Sequence, residues 1–244
     1  MLTLERLKQS PSAEYRCDQP LNLYQSPTCE DLTTQADRGR HLQIIDLAEG
    51  RENRPTAVQI RLCEDDYPGW IAFPQPPAAA ALPLSLPPQP YQPTSLTAAE
   101  IQARLPAAIA FTRAAEAVPN QYLWGGTVAP NYDCSGLMQA AFAAAGIRIP
   151  RDSYQQEAFT QPIAKADLHP GDLIFFGTAE RTNHVALYLG NGSYIHSSGR
   201  DQGRNGIGID SITDLSDPIS AAYQQQLRSF GRIVQSYRPA QSLP

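Results

Sequence analysis

Alternating hydrophobic and polar residues dominate the first third of the chain. Aliphatic and aromatic residues recur at every second position in five short segments, which Ser-Pro, Glu-Gly and Pro-Gly pairs separate. A period of two is typical of half-buried β-strands. The predicted strands within residues 14–73 are EYRC, LNLYQ, HLQIIDLA, TAVQIRLC and GWIAF. A segment of this length and pattern favours a small β-barrel.

Proline interrupts this pattern after the last predicted strand. Eight of the 22 prolines lie between Pro74 and Pro93. Proline lacks an amide hydrogen and favours extended polyproline geometry, so we expect a linker that does not pair into sheets. The predicted organisation is a first domain over residues 1–73, a linker over 74–96 and a second domain over 97–244.

In the second domain, predicted helices come first and strands follow. Thr97 and Glu100 have the spacing of a capping box, which predicts a short helix before Pro106 and a second helix over 106–117. The Ala-rich residues 134–145 predict a further helix, ended by the next glycine. Strands are predicted at DLIFFG (172–177), HVALYLG (184–190), SYIHSS (193–198) and RIVQSY (232–237). This order indicates an α+β domain.

The register of one hairpin decides whether two histidines share a face of the sheet. A two-residue turn at Asn191-Gly192 would put His184 and His196 on opposite faces. A three-residue loop from Gly190 makes them diagonal neighbours, about 7 Å apart or less. We favour the three-residue loop. It places His184, Tyr188, Tyr194 and His196 on one face, and Val185, Leu187, Leu189 and Ile195 on the other.

Cys134 stands where a loop becomes a helix, which makes it the candidate nucleophile. The partial positive charge of a helix N-terminus favours a thiolate, as does an adjacent protonated histidine, so we expect a lowered thiol pKa. A thiolate facing two histidines is the arrangement of papain-like enzymes. Its roles would be Cys134 as nucleophile, His184 as base and later acid, and His196 as orienter of His184. The Cys134 amide is a candidate oxyanion donor, with Tyr122 as a helper.

Charge and composition exclude several classes of protein. The net charge is −5 and the pI is near 5.4, which argues against a nucleic-acid partner. No apolar stretch is long enough for a membrane span. The first twenty residues hold no basic run followed by an apolar core, so we expect a cytoplasmic chain whose four cysteines are thiols. No CxxC, HxxxH or HExxH spacing supports a zinc site, so no metal or cofactor is expected.

Six segments of the second domain resemble NlpC-type cell-wall cysteine peptidases and occur in the same order. They are YLWGG (122–126), DCSGL (133–137), PRDSYQQ (150–156), PGDLIFF (170–176), NHVALYLGNG (183–192) and YIHSSG (194–199). The resemblance covers residues 106–237. It implies a papain-like α+β fold in which Cys134, His184 and His196 match the catalytic triad. It also implies cleavage of peptidoglycan stem peptides between γ-D-glutamate and a diamino acid such as meso-diaminopimelate.

The first domain resembles the bacterial SH3-like barrel through LNLYQSP and RLCEDDYPGWIAF. A barrel ahead of such a catalytic domain resembles the subset that trims murein tri- and tetrapeptides with a free N-terminal L-Ala. The resemblance implies that Asp133 pairs with the substrate ammonium and that Tyr67 reaches the same pocket. Ser135 is also expected at the substrate, and Arg151 and Ser153 are expected to hold a substrate carboxylate.

Simpler interpretations of these residues stay open. Asp133 is also explained as a helix-start carboxylate stabilised by the helix dipole, and Arg151 as the structural partner of a carboxylate. Our leading hypothesis is a cytoplasmic cysteine endopeptidase that recycles murein peptides. The alternatives are an amidase or acyl transferase with the same thioester chemistry, and a cell-wall-binding module with an inactive catalytic domain.

Overall fold

The chain forms two compact units. The computed structural model describes residues 2–3, 6–7, 13–49, 55–73 and 81–239. The first unit comprises the described residues up to Pro93 together with 238–239, and the second unit is Thr94–Tyr237. The boundary therefore falls between Pro93 and Thr94, at the end of the proline-rich segment.

The first unit consists mainly of β-strands. Seven strands pair antiparallel in the order β4-β3-β7-β6-β5-β2-β9, and β1 pairs with β8. All five strands predicted there are present. The strands are β1 (Leu2–Thr3), β2 (Glu14–Cys17), β3 (Leu21–Tyr24), β4 (Leu32–Ala36), β5 (His41–Glu49), β6 (Pro55–Leu62), β7 (Pro68–Ala72), β8 (Ala81–Leu82) and β9 (Leu84–Ser85).

Alternation of side chains builds the core of this unit. Along β6, Val58, Ile60 and Leu62 are fully buried and point to one side, where they pack with Leu23 of β3 and Leu42 of β5. Burying each such side chain contributes about 1.5–3 kcal/mol relative to leaving it exposed. The alternation seen in the sequence therefore corresponds to a real core face.

The expected linker differs from the structure, because part of it pairs into sheets. β8 and β9 flank Pro83, and their side chains Leu82 and Leu84 are each 1% exposed in the core. Pro83 has no amide hydrogen, but its carbonyl accepts a hydrogen bond from the Asp18 amide at 2.9 Å. Proline is tolerated here because each strand is only two residues long and is held by a buried leucine, so no hydrogen bond from the amide of residue 83 is needed. Residues 74–80 lie outside the described part of the chain.

The second unit is α+β, as predicted. Its main sheet is antiparallel, in the order β12-β17-β13-β14-β15-β16. The elements are α1 (Ala98–Glu116), β10 (Thr127–Val128), β11 (Asn131–Tyr132), α2 (Cys134–Ala144), α3 (Ser153–Phe159), β12 (Gln161–Ile163), a 3₁₀ helix (Lys165–Asp167), β13 (Leu173–Gly177), β14 (Thr182–Gly190), β15 (Ser193–Ser198), a 3₁₀ helix (Arg200–Gln202), β16 (Gly206–Ser211), α4 (Pro218–Gln225) and β17 (Leu227–Arg232).

The first helix is continuous where two segments were expected. α1 runs through Pro106, although a proline removes one backbone hydrogen bond. Ile101, Leu105 and Ala108 are buried at three- and four-residue spacing on either side of the proline. This packed stripe keeps the helix intact across the missing bond. The predicted capping box is confirmed: the Glu100 amide donates to Thr97 Oγ1, and the Thr97 amide donates to Glu100 Oε2.

Two strands at the end of the chain differ from expectation. The strand predicted over 232–237 is wrong, because β17 ends at Arg232. The strand that precedes it in the chain, β16 at the far edge of the sheet, was not predicted at all. Its fully buried positions are Gly206, Gly208 and Asp210, while its isoleucines are only partly buried. Glycines and an aspartate on the buried face give no hydrophobic alternation that a sequence pattern can detect.

The β14–β15 hairpin has the predicted register. Tyr188 lies opposite Tyr194, and Leu187 lies opposite Ile195. The predicted three-residue loop is wrong, however: the turn holds only Asn191 and Gly192, both with positive φ (51° and 80°), as a tight two-residue hairpin turn requires. A bulge between Tyr188 and Gly190 restores the register that a three-residue loop would give. Val185, Leu187 and Ile195 consequently pack with the side chains of α2.

The capping box of α1 gives a test of local stability. Replacing Thr97 by alanine removes the hydroxyl that accepts from the Glu100 amide, and we expect a loss of about 1 kcal/mol in the free energy of unfolding. Urea denaturation measures it. Thr94→Ala is the matched control, since Thr94 is exposed just before the helix. Equal effects of both variants would contradict the capping role.

Candidate active site

The start of α2 is fixed by an aspartate and two glycines. Asp133 is the N-cap, and its Oδ1 accepts from the Gly136 amide at 2.6 Å. A side chain at Gly136 would lie 2.0 Å from the carbonyl oxygen of Gly126, so only glycine lets the helix approach that loop. Cys134, the first residue of α2, is thereby held at the helix N-terminus, as predicted.

A buried arginine ties the following loop to this helix start. Arg151 Nη2 lies 2.6 Å from Asp133 Oδ2, and Arg151 Nη1 lies 3.1 Å from Asp133 Oδ1 and 2.9 Å from Ser135 Oγ. The Gly125 amide also donates to Asp133 Oδ2 at 2.9 Å. The simpler interpretation of Arg151, as the partner of a carboxylate, is therefore confirmed, and that carboxylate is Asp133.

The predicted substrate contacts remain to be tested. Asp133, Ser135 and Arg151 form one hydrogen-bonded cluster, and Ser153 is buried at the first turn of α3. Tyr67 belongs to the first unit, where its hydroxyl lies 3.1 Å from Thr33 Oγ1. A substrate role for any of these five residues stays a prediction.

The Cys134 thiol is buried against the first half of β14. Its Sγ lies 4.0 Å from the carbonyl oxygen of Asn183, and the Val185 and Ser135 amides donate to it. Asn183 and Val185 are the residues on either side of His184 in β14. The sulfur therefore lies beside the strand position that carries the candidate base.

The expected lowering of the thiol pKa is wrong for the resting chain. Burial, and next the negative charge of Asp133, raise the pKa of Cys134 to about 12, against the opposing effects of the Val185 and Ser135 amides and of Arg151. The helix N-terminus is present, but a buried sulfur beside a carboxylate loses more hydration than the amide dipoles replace. The Cys134 thiol is accordingly neutral at neutral pH.

The two candidate histidines are in direct contact, as predicted. His184 Nε2 lies 2.7 Å from His196 Nδ1, and the two rings are nearly perpendicular. Burial lowers the pKa of both rings, and the charge of His196 lowers the pKa of His184 further. Both imidazoles are therefore neutral at neutral pH, and His196 holds the His184 ring through one nitrogen.

The hydrogen-bond chain continues to an aspartate that sequence reasoning missed. Asp210 Oδ2 lies 2.6 Å from His196 Nε2, and Arg204 Nε donates to the same oxygen at 2.9 Å. Burial raises the pKa of Asp210, but hydrogen bonds from His196 and Arg204 outweigh that effect and hold its pKa well below the ordinary value. Asp210 is recognised as part of the site by its burial and by its position on β16, the strand that pairs with β15.

A tyrosine from α4 covers both histidines. The ring centroid of Tyr223 lies 4.6 Å from that of His184 and 4.8 Å from that of His196. Its hydroxyl is bonded to Ser198 Oγ at 2.7 Å. Tyr223 thus helps exclude water from the histidine pair, and it was not predicted because α4 was not.

Tyr122 shares the electrostatic environment of the nucleophile. Burial raises the pKa of the Tyr122 phenol well above its ordinary value, and the charges of Cys134 and Asp133 add to the effect. The phenol therefore keeps its hydrogen and is able to donate it to an oxyanion. Its helper role stays a prediction.

Three further observations concern metals, membranes and thiols. Within the described residues, no group of three or more His, Cys, Asp or Glu side chains is placed to hold a metal ion. None of the helices in the same part of the chain has the length and apolar character to cross a bilayer. The four cysteines are free thiols, as predicted: Cys17, Cys29, Cys63 and Cys134.

Comparison with known families matches both units. Residues 119–229 match the NlpC/P60 family, and residues 23–73 match the bacterial dipeptidyl-peptidase Sh3 domain. The chain therefore contains an SH3-like domain that includes residues 23–73 and an NlpC/P60 domain that includes residues 119–229, which confirms both resemblances.

Individual relatives match less than half of the chain. The bifunctional muramidase/DL-endopeptidase CwlT of Bacillus subtilis is 38% identical over 116 residues, which are 46% of this chain and 32% of CwlT. The probable endopeptidase p60 of Listeria monocytogenes is 37% identical over 112 residues, 46% of this chain and 21% of p60. The match thus spans less than a third of these relatives.

Matches to solved structures cover larger shares of both chains. An NlpC/P60 family protein from Bacillus cereus is 19% identical, with a TM-score of 0.45, and the match covers 96% of this chain and 67% of that one. The peptidoglycan hydrolase RipB from Mycobacterium tuberculosis is 27% identical, with a TM-score of 0.45, over 57% of this chain and 69% of RipB.

The raised thiol pKa predicts how fast Cys134 is alkylated at different pH. Iodoacetamide reacts with the thiolate, whose fraction grows about tenfold per pH unit below the pKa. We expect the rate at Cys134, followed by mass spectrometry of its peptide, to rise from pH 7 to pH 10 without a plateau. The urea-unfolded chain is the control, since its thiols level off above about pH 9. A plateau in the folded chain from pH 6 upward would mean a preformed thiolate.

The lowered histidine pKa values predict a loss of stability in acid. Below about pH 6.5 His184 and His196 bind protons in the unfolded chain, whereas in the folded chain their buried rings stay neutral. The free energy of unfolding therefore falls as the pH falls. The slope is at most about 1.4 kcal/mol per pH unit for each ring. Urea denaturation at pH 8 and pH 5.5 measures it. His184→Gln should reduce the difference, and an unchanged difference would contradict this account.

Proposed function

We propose that the chain is a cysteine endopeptidase that cleaves peptide bonds of peptidoglycan stem peptides. The observation that carries the proposal is the placement of Cys134 at the N-terminus of α2, against the β14 backbone that flanks His184. The His184 ring is in turn hydrogen-bonded to the His196 ring. The match of residues 119–229 to the NlpC/P60 family supports it, as do the names of two relatives, the muramidase/DL-endopeptidase CwlT and the probable endopeptidase p60.

The neutral pair defines the first chemical step. Because the Cys134 thiol and the His184 ring are both neutral, the thiol must lose its proton to His184 as its sulfur attacks the carbonyl carbon. The attack breaks the carbonyl double bond and leaves a negative charge on oxygen. The Cys134 amide and the Tyr122 hydroxyl are the proposed donors to that oxygen.

The remaining steps return the enzyme to its starting state. Protonated His184 gives its proton to the leaving amine, the carbon–nitrogen bond breaks, and a thioester on Cys134 remains. His184 then removes one proton from water, whose oxygen displaces the sulfur and releases a carboxylic acid, which loses its own proton to solvent. Cys134 regains a proton from His184, so no cofactor is consumed.

We further propose the bond between γ-D-glutamate and a diamino acid, in short peptides with a free N-terminal L-Ala. The first unit matches a domain named for bacterial dipeptidyl peptidases, and release of L-Ala-γ-D-Glu is a dipeptidyl-peptidase reaction. Asp133, buried beside the nucleophile, is the proposed contact for the ammonium group. A cytoplasmic role in recycling such peptides belongs to the same proposal.

Hydrolysis of a defined peptide tests both levels of the proposal. We expect L-Ala-γ-D-Glu-meso-diaminopimelate to release free diaminopimelate, detected by mass spectrometry, and the N-acetylated peptide to resist cleavage. Cys134→Ala should abolish the reaction, because no other group supplies the sulfur. Cys63→Ala is the matched control, since Cys63 is a free thiol of the first unit.

Other results would revise the proposal in defined ways. Equal cleavage of both peptides would overturn the amine contact at Asp133 but leave the peptidase intact. Cleavage of neither peptide by folded protein would overturn the peptidase proposal in favour of an inactive or differently specific domain. Full activity in Cys134→Ala would remove the thiol from the mechanism.

A further inference from the structure

We propose that Asp210 is a positioning residue that determines which ring nitrogen of each histidine carries the hydrogen, so that Nδ1 of His184 is left bare. The inference concerns the hydrogen-bond chain from Asp210 through His196 to His184. The assignment of the ring hydrogens is independent of the proposed function. Only the role of His184 Nδ1 as acceptor of the Cys134 proton rests on that function.

The carboxylate of Asp210 is held so that it only accepts hydrogen bonds. Arg204 Nε donates to Oδ2 at 2.9 Å, and Arg204 Nη2 donates to Oδ1. The side chain of Asp210 is 1% exposed, so water does not replace either partner. An ionised carboxylate has no hydrogen to give. Whatever lies against Oδ2 must therefore be a donor.

This requirement fixes the tautomer of His196. Its Nε2, 2.6 Å from Asp210 Oδ2, has to carry the hydrogen. A neutral imidazole carries one hydrogen, so Nδ1 of His196 is bare and accepts. The rings of Tyr194 and Tyr223 pack on His196 edge to face, and their hydroxyls appear in none of its hydrogen bonds within the described residues.

The same logic passes to His184. Two bare nitrogens 2.7 Å apart would repel, so Nε2 of His184 carries the hydrogen that His196 Nδ1 accepts. Nδ1 of His184 is then bare, and no other described residue bonds to it. A bare nitrogen is what a general base needs. The reversed chain would leave Nδ1 of His184 protonated and unable to take the Cys134 proton.

A second buried ion pair shows what a purely structural role would look like. Asp172 is also 1% exposed and accepts from Arg232 Nε at 2.8 Å and Arg232 Nη2 at 2.7 Å. Arg204 and Arg232 are similarly exposed, at 27% and 24%. Asp172 binds the backbone amide of His169 and neither ring of the histidine pair. Asp172→Asn is therefore a matched control for Asp210→Asn.

The wild-type chain alone tests the central claim. Long-range proton–nitrogen spectra of ¹⁵N-labelled protein at pH 8 distinguish protonated from bare ring nitrogens. We expect hydrogen on Nε2 in both His184 and His196. Hydrogen on Nδ1 of His196 would overturn the proposal. This spectrum needs no substrate, so it decides the tautomers even if the murein peptide proves not to be cleaved.

The variants test whether Asp210 is the cause. In Asp210→Asn the amide side chain can either donate or accept a hydrogen bond. We therefore expect the hydrogen of His196 to lie on Nε2 in only part of the molecules. On the tripeptide, kcat should fall about 10²-fold or more with KM unchanged, as when a catalytic histidine loses its tautomer. Asp172→Asn should keep the wild-type tautomers and kcat. Unchanged tautomers in folded Asp210→Asn would overturn the proposal, whatever the effect on kcat.

Discussion

Burial around Cys134 permits a charge only where another group neutralises it. Arg151 and two amides surround the carboxylate of Asp133, and Arg204 and His196 surround the carboxylate of Asp210. Among the described residues, the Cys134 thiol and the His184 ring have no such pairing, and at His196 burial outweighs the contact with Asp210, so all three groups remain neutral. The site therefore combines two paired carboxylates with an uncharged reactive pair.

The paired carboxylates also explain how loops and strands hold the site. Asp133 joins three pieces of chain: it caps α2, accepts from the Gly125 amide and binds Arg151 in the loop before α3. Asp210 joins β16 to β15 through His196 and fixes the preceding loop through Arg204. Removing one partner of either pair would leave a buried charge, at a cost of about 3–5 kcal/mol. Stability and geometry at the site thus depend on the same contacts.

The sequence predicts what depends on local patterns and misses what depends on burial. The capping box at Thr97, the helix start at Cys134 and the register of His184 and His196 follow from spacing along the chain, and all three are confirmed. β16 was missed because its buried face carries glycines and Asp210 instead of apolar residues. The direction of the Cys134 pKa shift was wrong because desolvation, which no local pattern reveals, outweighs the helix N-terminus.

A neutral resting pair is consistent with catalysis, because rate depends on stabilising the transition state more than the resting state. Proton transfer from Cys134 creates an imidazolium at His184 while negative charge moves to the substrate oxygen. The new positive charge lies one hydrogen bond from His196 and two from the carboxylate of Asp210, whose charge favours the protonated ring. Arg204 keeps Asp210 ionised, so the proton stays on His184 instead of passing to the carboxylate. The buried chain therefore stabilises a charge that exists only while the reaction proceeds.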